Sequence, residues 1–128
     1  FGMGESDKNP MKWDDGNIYL YEIKGDKQPI GAYMDEELIP FTNHSFQLEE
    51  GDMVYVFTDG FADQFGGKNL DEKKGKPKKY TYKRYKQFLM AISQKSSDEQ
   101  HKLLRNEFTD WKGNVEQLDD VLVMGVRI

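Results

Sequence analysis

The chain has 128 residues, enough for one modest domain built on one core. Hydrophobic residues make up 37% and charged residues 32%, with a formal net charge of -5, a balance that excludes a disordered polyelectrolyte and gives no reason to expect affinity for nucleic acid. Cysteine is absent, which excludes disulfides and thiolate metal sites, and no apolar run approaches the ~18 residues a membrane helix needs.

The N-terminus, "FGMGESDKNP", lacks the charged-then-apolar layout of a signal peptide and starts without Met. The expectation is a cytoplasmic segment of a longer protein. "PMKWDDGNIYLYEIKGDKQPIGAY" then holds two short apolar runs around Asp15-Gly16, a strong hairpin signal because both turn positions must accept positive φ. Residues ~10–13 and ~17–23 are expected to pair antiparallel. Ile18 and Leu20 face one way while Tyr19, Tyr21 and Ile23 face the other, so neither side of this strand suits water. Gly25-Asp26 marks the next turn.

"IPFTNHSFQLEEGDMVYVFTDG" reads as a second hairpin: a strand near Phe41–Leu48, a turn at Glu50-Gly51-Asp52, and a buried strand over Met53–Thr58. Asp59 and Gly60 follow at the end of that strand. Beyond them, Gln64-Phe65-Gly66-Gly67 reads as an aromatic-glycine turn. The Lys-rich residues 68–80 have no consistent apolar period and predict a solvated loop, with recruitment of a phosphorylated or acidic partner as the functional alternative.

From Thr81 the period becomes helical. Tyr82, Tyr85, Leu89 and Ile92 form an amphipathic stripe over ~81–94 that reads as core. Ser97 with Gln100 has the form of a capping box, and Leu104, Phe108 and Trp111 carry a second helix to Gly113. The final segment, "EQLDDVLVMGVRI", is an almost continuously apolar strand entered through Asp119 and Asp120.

The two most apolar strands therefore each carry Asp at one end, Asp59 leaving the first and Asp119 entering the second. Antiparallel neighbours bring such ends together, about one strand spacing apart. Clustered carboxylates repel unless a proton or a cation lies between them, and an oxygen-only site favours Mg²⁺ or Mn²⁺. Such ions activate a water for in-line attack on a phosphate ester. Spacing alone leaves two ordinary turns, the simpler reading, open beside the metal site.

"VYVFTDGFADQFGG", followed by two helices and then "WKGNVEQLDDVLVMGVRI", resembles the C-terminal part of PPM-type metal-dependent Ser/Thr protein phosphatases, in the bacterial SpoIIE-like branch. "KNPMKW" and "GDKQPIG" resemble the strand preceding the core hairpin of that family. The resemblance implies an α+β fold, an α-β-β-α sandwich of antiparallel sheets with a helical hairpin on one face. It also implies a site holding two Mn²⁺ or Mg²⁺ ions, with Asp59 of Thr58-Asp59-Gly60 and Asp119 as metal ligands. Gly60 and Asp120 would support them. Residues 1–128 would then be the C-terminal portion of the domain. The upstream part, which in the family carries a Gly-Asp motif and a bridging carboxylate, lies outside these residues.

Asp63 is expected to be a solvated loop carboxylate, and His44 and His101, at no ligand spacing, surface histidines. Gly66-Gly67 lacks the strand-loop-helix context of a phosphate cradle. The resemblance implies hydrolysis of phosphoserine or phosphothreonine on a regulatory protein such as an anti-sigma-factor antagonist. An upstream sensor module, which could attach the parent protein to a membrane, is the implied regulator, and these residues alone would be inactive. A regulatory or scaffolding module that keeps the fold without chemistry is the alternative. If the strand ~17–23 leaves one sheet face bare, the chain is expected to self-associate through it.

Overall fold

The computed structural model describes residues 11–13, 18–24, 43–67 and 75–128, the first three by their backbone. Along the chain run β1 (Met11–Trp13), β2 (Ile18–Leu20), β3 (Met53–Phe57), the helical turn α1 (Gly60–Asp63), β4 (Phe65–Gly66), β5 (Lys78–Lys79), α2 (Tyr82–Ile92), α3 (Ser97–Lys112) and β6 (Val123–Arg127). Among the described residues the strands pair in antiparallel twos: β1 with β2, β3 with β6, and β4 with β5. The architecture is α+β, as expected, with antiparallel strand pairs and helices interspersed along the chain.

The predicted first hairpin forms, with Met11 opposite Leu20 and Trp13 opposite Ile18. Asp15-Gly16 and the whole of "GDKQPIG", with its Gly25-Asp26 turn, lie outside the described residues. Among the described residues the second predicted hairpin does not form. Residues 43–49 make no strand, and β3 takes β6 as its partner, with Met53 opposite Arg127 and Phe57 opposite Val123. Two further backbone bonds extend this ladder past β3, from Gly51 N–H to the Ile128 carbonyl and from Ile128 N–H to the Asp52 carbonyl, each 2.8 Å. The turn at 50–52 is present, with Gly51 at φ +94°, a conformation Gly adopts without steric cost. It delivers the chain to β6 because the apolar run of the C-terminal strand matches β3 over its whole length. The polar Thr42-Asn43-His44-Ser45 stretch offers no such match. His44, expected at the surface, is half-buried in irregular chain.

The core lies between the Tyr55/Phe57 face of the β3–β6 pair and the three helices. Phe61, Ala62, Tyr80, Tyr85, Leu89, Ile92 and Trp111 are buried, and Leu104, Phe108, Val121 and Val123 pack against them. It is largely aromatic. Phe61 stacks on Tyr85 at 4.6 Å between centroids, Phe57 meets Tyr85 edge-on at 4.8 Å, and Tyr80 meets Trp111 edge-on at 5.3 Å. Such pairs add about 0.5–1.5 kcal/mol each beyond their buried area. Arg84 covers the outside, its guanidinium 4.4 Å from the Trp111 ring.

Glycines let α3 close onto the short β4. A Cβ on Gly66 would lie 1.7 Å from the Trp111 carbonyl oxygen, and one on Gly67 would lie 2.8 Å from the Trp111 ring. The aromatic-glycine segment is thus a strand and a packing surface, not a turn that shapes a loop. Part of the predicted loop is also ordered: Lys78 and Lys79 pair with β4, Lys79 Nζ sits 2.9 Å from Asp63, and Tyr80 is buried. Residues 68–74 lie outside the described residues.

Helix α3 starts one residue earlier in its capping than the spacing suggests. Ser96 is the N-cap, its hydroxyl accepting from Glu99 N–H, while Ser97 opens the helix itself. Gln100 is released from capping and is buried. Its Oε1 accepts the Tyr55 hydroxyl at 2.6 Å, and its Nε2 donates to the Ser93 and Lys95 carbonyls. One side chain thereby ties β3, the end of α2 and α3. His101, next to it, is exposed as expected. The β1–β2 hairpin lies beside α2, where Lys86 pairs with Glu22 at 2.7 Å. No helix among the described residues is long and apolar enough to cross a membrane.

Candidate metal centre

The β3–β6 ladder ends at Phe57 and Val123, and Thr58 carries the pairing one step further. Its N–H donates to the Leu122 carbonyl at 3.0 Å. Its hydroxyl accepts the Leu122 N–H and donates to the Asp120 carbonyl, both at 3.1 Å. This clamp places the Thr58-Asp59-Gly60 and Asp119-Asp120 segments side by side. Gly60 completes the approach: a Cβ there would lie 2.2 Å from the Asp120 carbonyl oxygen. The glycine is therefore required for closeness rather than for a turn conformation.

Asp59 is the N-cap of α1, yet its carboxylate makes no capping bond. An Asp in that position ordinarily accepts from its own helix. Here Asp59 Oδ1 accepts the Tyr82 hydroxyl. Partial desolvation, with the hydrogen bond and charge of Asp59 behind it, raises the Tyr82 pKa well above its ordinary value, so the phenol stays a donor.

Asp119 is exposed and held within its own turn. Its Oδ1 accepts from Asp120 N–H at 2.8 Å, and its carbonyl accepts from Gln117 Nε2 at 2.9 Å. Gln117, Leu118, Asp119 and Asp120 line an open depression of about 440 Å³. Asp120 supports the arrangement through its backbone, since its N–H serves Asp119 and its carbonyl serves Thr58. Asp63 lies on α1 rather than in a loop, with Lys79 as its ion-pair partner.

Two exposed carboxylate segments at one sheet end, in a chain without Cys, are the donor chemistry of a hard, oxygen-seeking cation. The fit is partial in number: among the described residues no group of three or more His, Cys, Asp or Glu side chains is placed to hold a metal. Thr58 and Tyr82 are the site residues that sequence patterns miss. Thr58 looks like the last residue of a strand, and Tyr82 like the first of a core stripe. The one local hint is that Tyr82, unlike Tyr85, Leu89 and Ile92, stands at the mouth of its helix and is exposed.

The α+β architecture, with its antiparallel strand pairs and helices, fits part of a fold of the PP2C type. The sequence matches the family described as stage II sporulation protein E (SpoIIE) over residues 8–128, and the chain belongs to that family. Among solved structures it is similar to the SiaA-PP2C domain of Pseudomonas aeruginosa, at 25% identity and a TM-score of 0.50. That match covers 59% of this chain and 28% of the other, so this chain spans little more than a quarter of that relative. No curated protein matches it.

Proposed function

We propose that this chain supplies Asp59 and Asp119 to the Mn²⁺ or Mg²⁺ centre of a protein-serine/threonine phosphatase, with Gly60 and Asp120 supporting them. The observation that supports this most directly is the Thr58 clamp, which joins the two acidic segments by three hydrogen bonds at one sheet end. When bound, such cations activate water and stabilise attack on a phosphate ester. The chain's own residues hold the carboxylates: Tyr82 donates to Asp59, and the Asp120 N–H donates to Asp119. Membership of the SpoIIE family supports the reaction class. The substrate is a phosphoserine or phosphothreonine of a cytoplasmic regulatory protein, of which an anti-sigma-factor antagonist is one kind, under the control of a sensor module in the same protein.

The test is Mn²⁺-dependent release of phosphate from a phosphoserine peptide by the intact protein. Asp59→Asn and Asp119→Asn each remove an anionic oxygen and are expected to lower turnover by about 100-fold or more. Turnover unchanged in both would reject the assignment. No turnover in the unaltered protein, with every metal tried, would leave the scaffolding module as the reading.

A further inference from the structure

We propose that Tyr82 is a positioning residue for Asp59, held in place by a strained backbone at Thr81; this rests on the reading of Asp59 as a metal ligand. Thr81 has φ +83°, the one non-glycine residue with positive φ among those described. A β-branched side chain rarely adopts that conformation, and where it does the surroundings must enforce it. The enforcing contacts all involve α1 or α2. Tyr80 N–H donates to the Gln64 carbonyl at 2.9 Å and Thr81 N–H to the Ala62 carbonyl at 2.8 Å, stapling residues 80–81 to the helical turn that Asp59 begins. The Thr81 carbonyl accepts from Tyr85 N–H, and its hydroxyl from Arg84 N–H, so the same residue also starts α2.

Tyr82 follows immediately, with its ring 6.4 Å from that of Phe57, the last residue of β3. Its hydroxyl donates to Asp59 Oδ1. The other carboxylate oxygen accepts no hydrogen bond from the described residues. A single donor on one oxygen fixes the plane of the carboxylate while leaving the second oxygen for a cation, which is how outer partners orient metal ligands. Without Tyr82, Asp59 at an exposed N-cap would be free to turn toward the N–H groups of α1, the ordinary fate of an N-cap aspartate.

The experiment titrates Mn²⁺ alone into the intact protein by calorimetry, with the Mn²⁺ electron paramagnetic resonance spectrum as a second readout. Tyr82→Phe and Asp59→Asn are compared with the unaltered protein, and melting of each without metal checks the fold. Tyr82→Phe is expected to weaken Mn²⁺ binding about 10- to 100-fold and broaden the spectrum, at an unchanged metal-free melting temperature. Unaltered Mn²⁺ affinity in Tyr82→Phe, with binding weakened in Asp59→Asn, would overturn the role of Tyr82 and spare that of Asp59. Unaltered affinity in Asp59→Asn would overturn both.

Discussion

At the residue scale, Gly60 has the sharpest consequence, because its missing side chain lets the chain after β3 lie on the Asp120 carbonyl. The obstacle to a larger residue is backbone, which cannot swing aside like the end of a flexible side chain. Gly60→Ala is expected to lower stability by about 1–3 kcal/mol and to weaken Mn²⁺ binding with it, since the Thr58 clamp and the Gly60 contact hold the same segment. Thermal melts and a Mn²⁺ titration check this, and a variant matching the unaltered protein in both would show that the contact relaxes at no cost. In the sequence Gly60 is legible as a glycine after an aspartate. That its value is steric rather than conformational depends on a carbonyl 60 residues away.

At the element scale, the Tyr55–Gln100 hydrogen bond ties β3 to the helical pair. Burial pushes the Tyr55 hydroxyl up from 10.0 to about 12, with the Arg127 guanidinium acting in the opposite direction. In the unfolded chain the group ionises near its ordinary value. Below pH 10.0 both states are protonated and the contribution to stability is complete. Between 10.0 and about 12 the unfolded chain has released a proton that the folded chain retains, so stability falls as pH rises, by at most about 1.4 kcal/mol per pH unit for this group. Urea melts across that range, with tyrosinate absorbance followed in parallel, should show a shallower alkaline loss for Tyr55→Phe than for the unaltered chain. Equal slopes would mean that Tyr55 ionises alike in both states.

At the scale of the whole molecule, the β3–β6 pair has one covered face and one open one. Tyr55, Phe57 and Val123 pack against the helical core, while Val56, Leu122, Met124 and Val126 on the other side are each more than half exposed. In a β-sandwich a second sheet packs there. The bare face is expected from the strand ~17–23, where Tyr19, Tyr21 and Ile23 are also substantially exposed. An apolar surface of this kind finds a partner when it exceeds a few hundred Å². The 128-residue chain by itself is expected to sediment at micromolar concentration as a self-associated species, most simply a two-fold dimer. A strictly monomeric, cooperatively folding chain would count against an accessible face.

The sequence by itself determined the elements whose signal is local. Helical spacing located α2 and α3, the Asp-Gly step placed the β1–β2 hairpin, and the apolar runs marked β3 and β6 with an aspartate at one end of each. Tertiary structure decided what depends on partners far apart in the chain. Periodicity shows that a strand is apolar but not which strand lies beside it, so β3 pairing with β6 rather than with residues 43–48 was settled by matching along the full ladder. The same limit hid Tyr82 within a core stripe, because a hydrogen bond to Asp59 across 23 residues leaves no mark on spacing. It also hid Thr58, whose hydroxyl bridges the two acidic segments only after the ladder has brought Asp120 and Leu122 within reach.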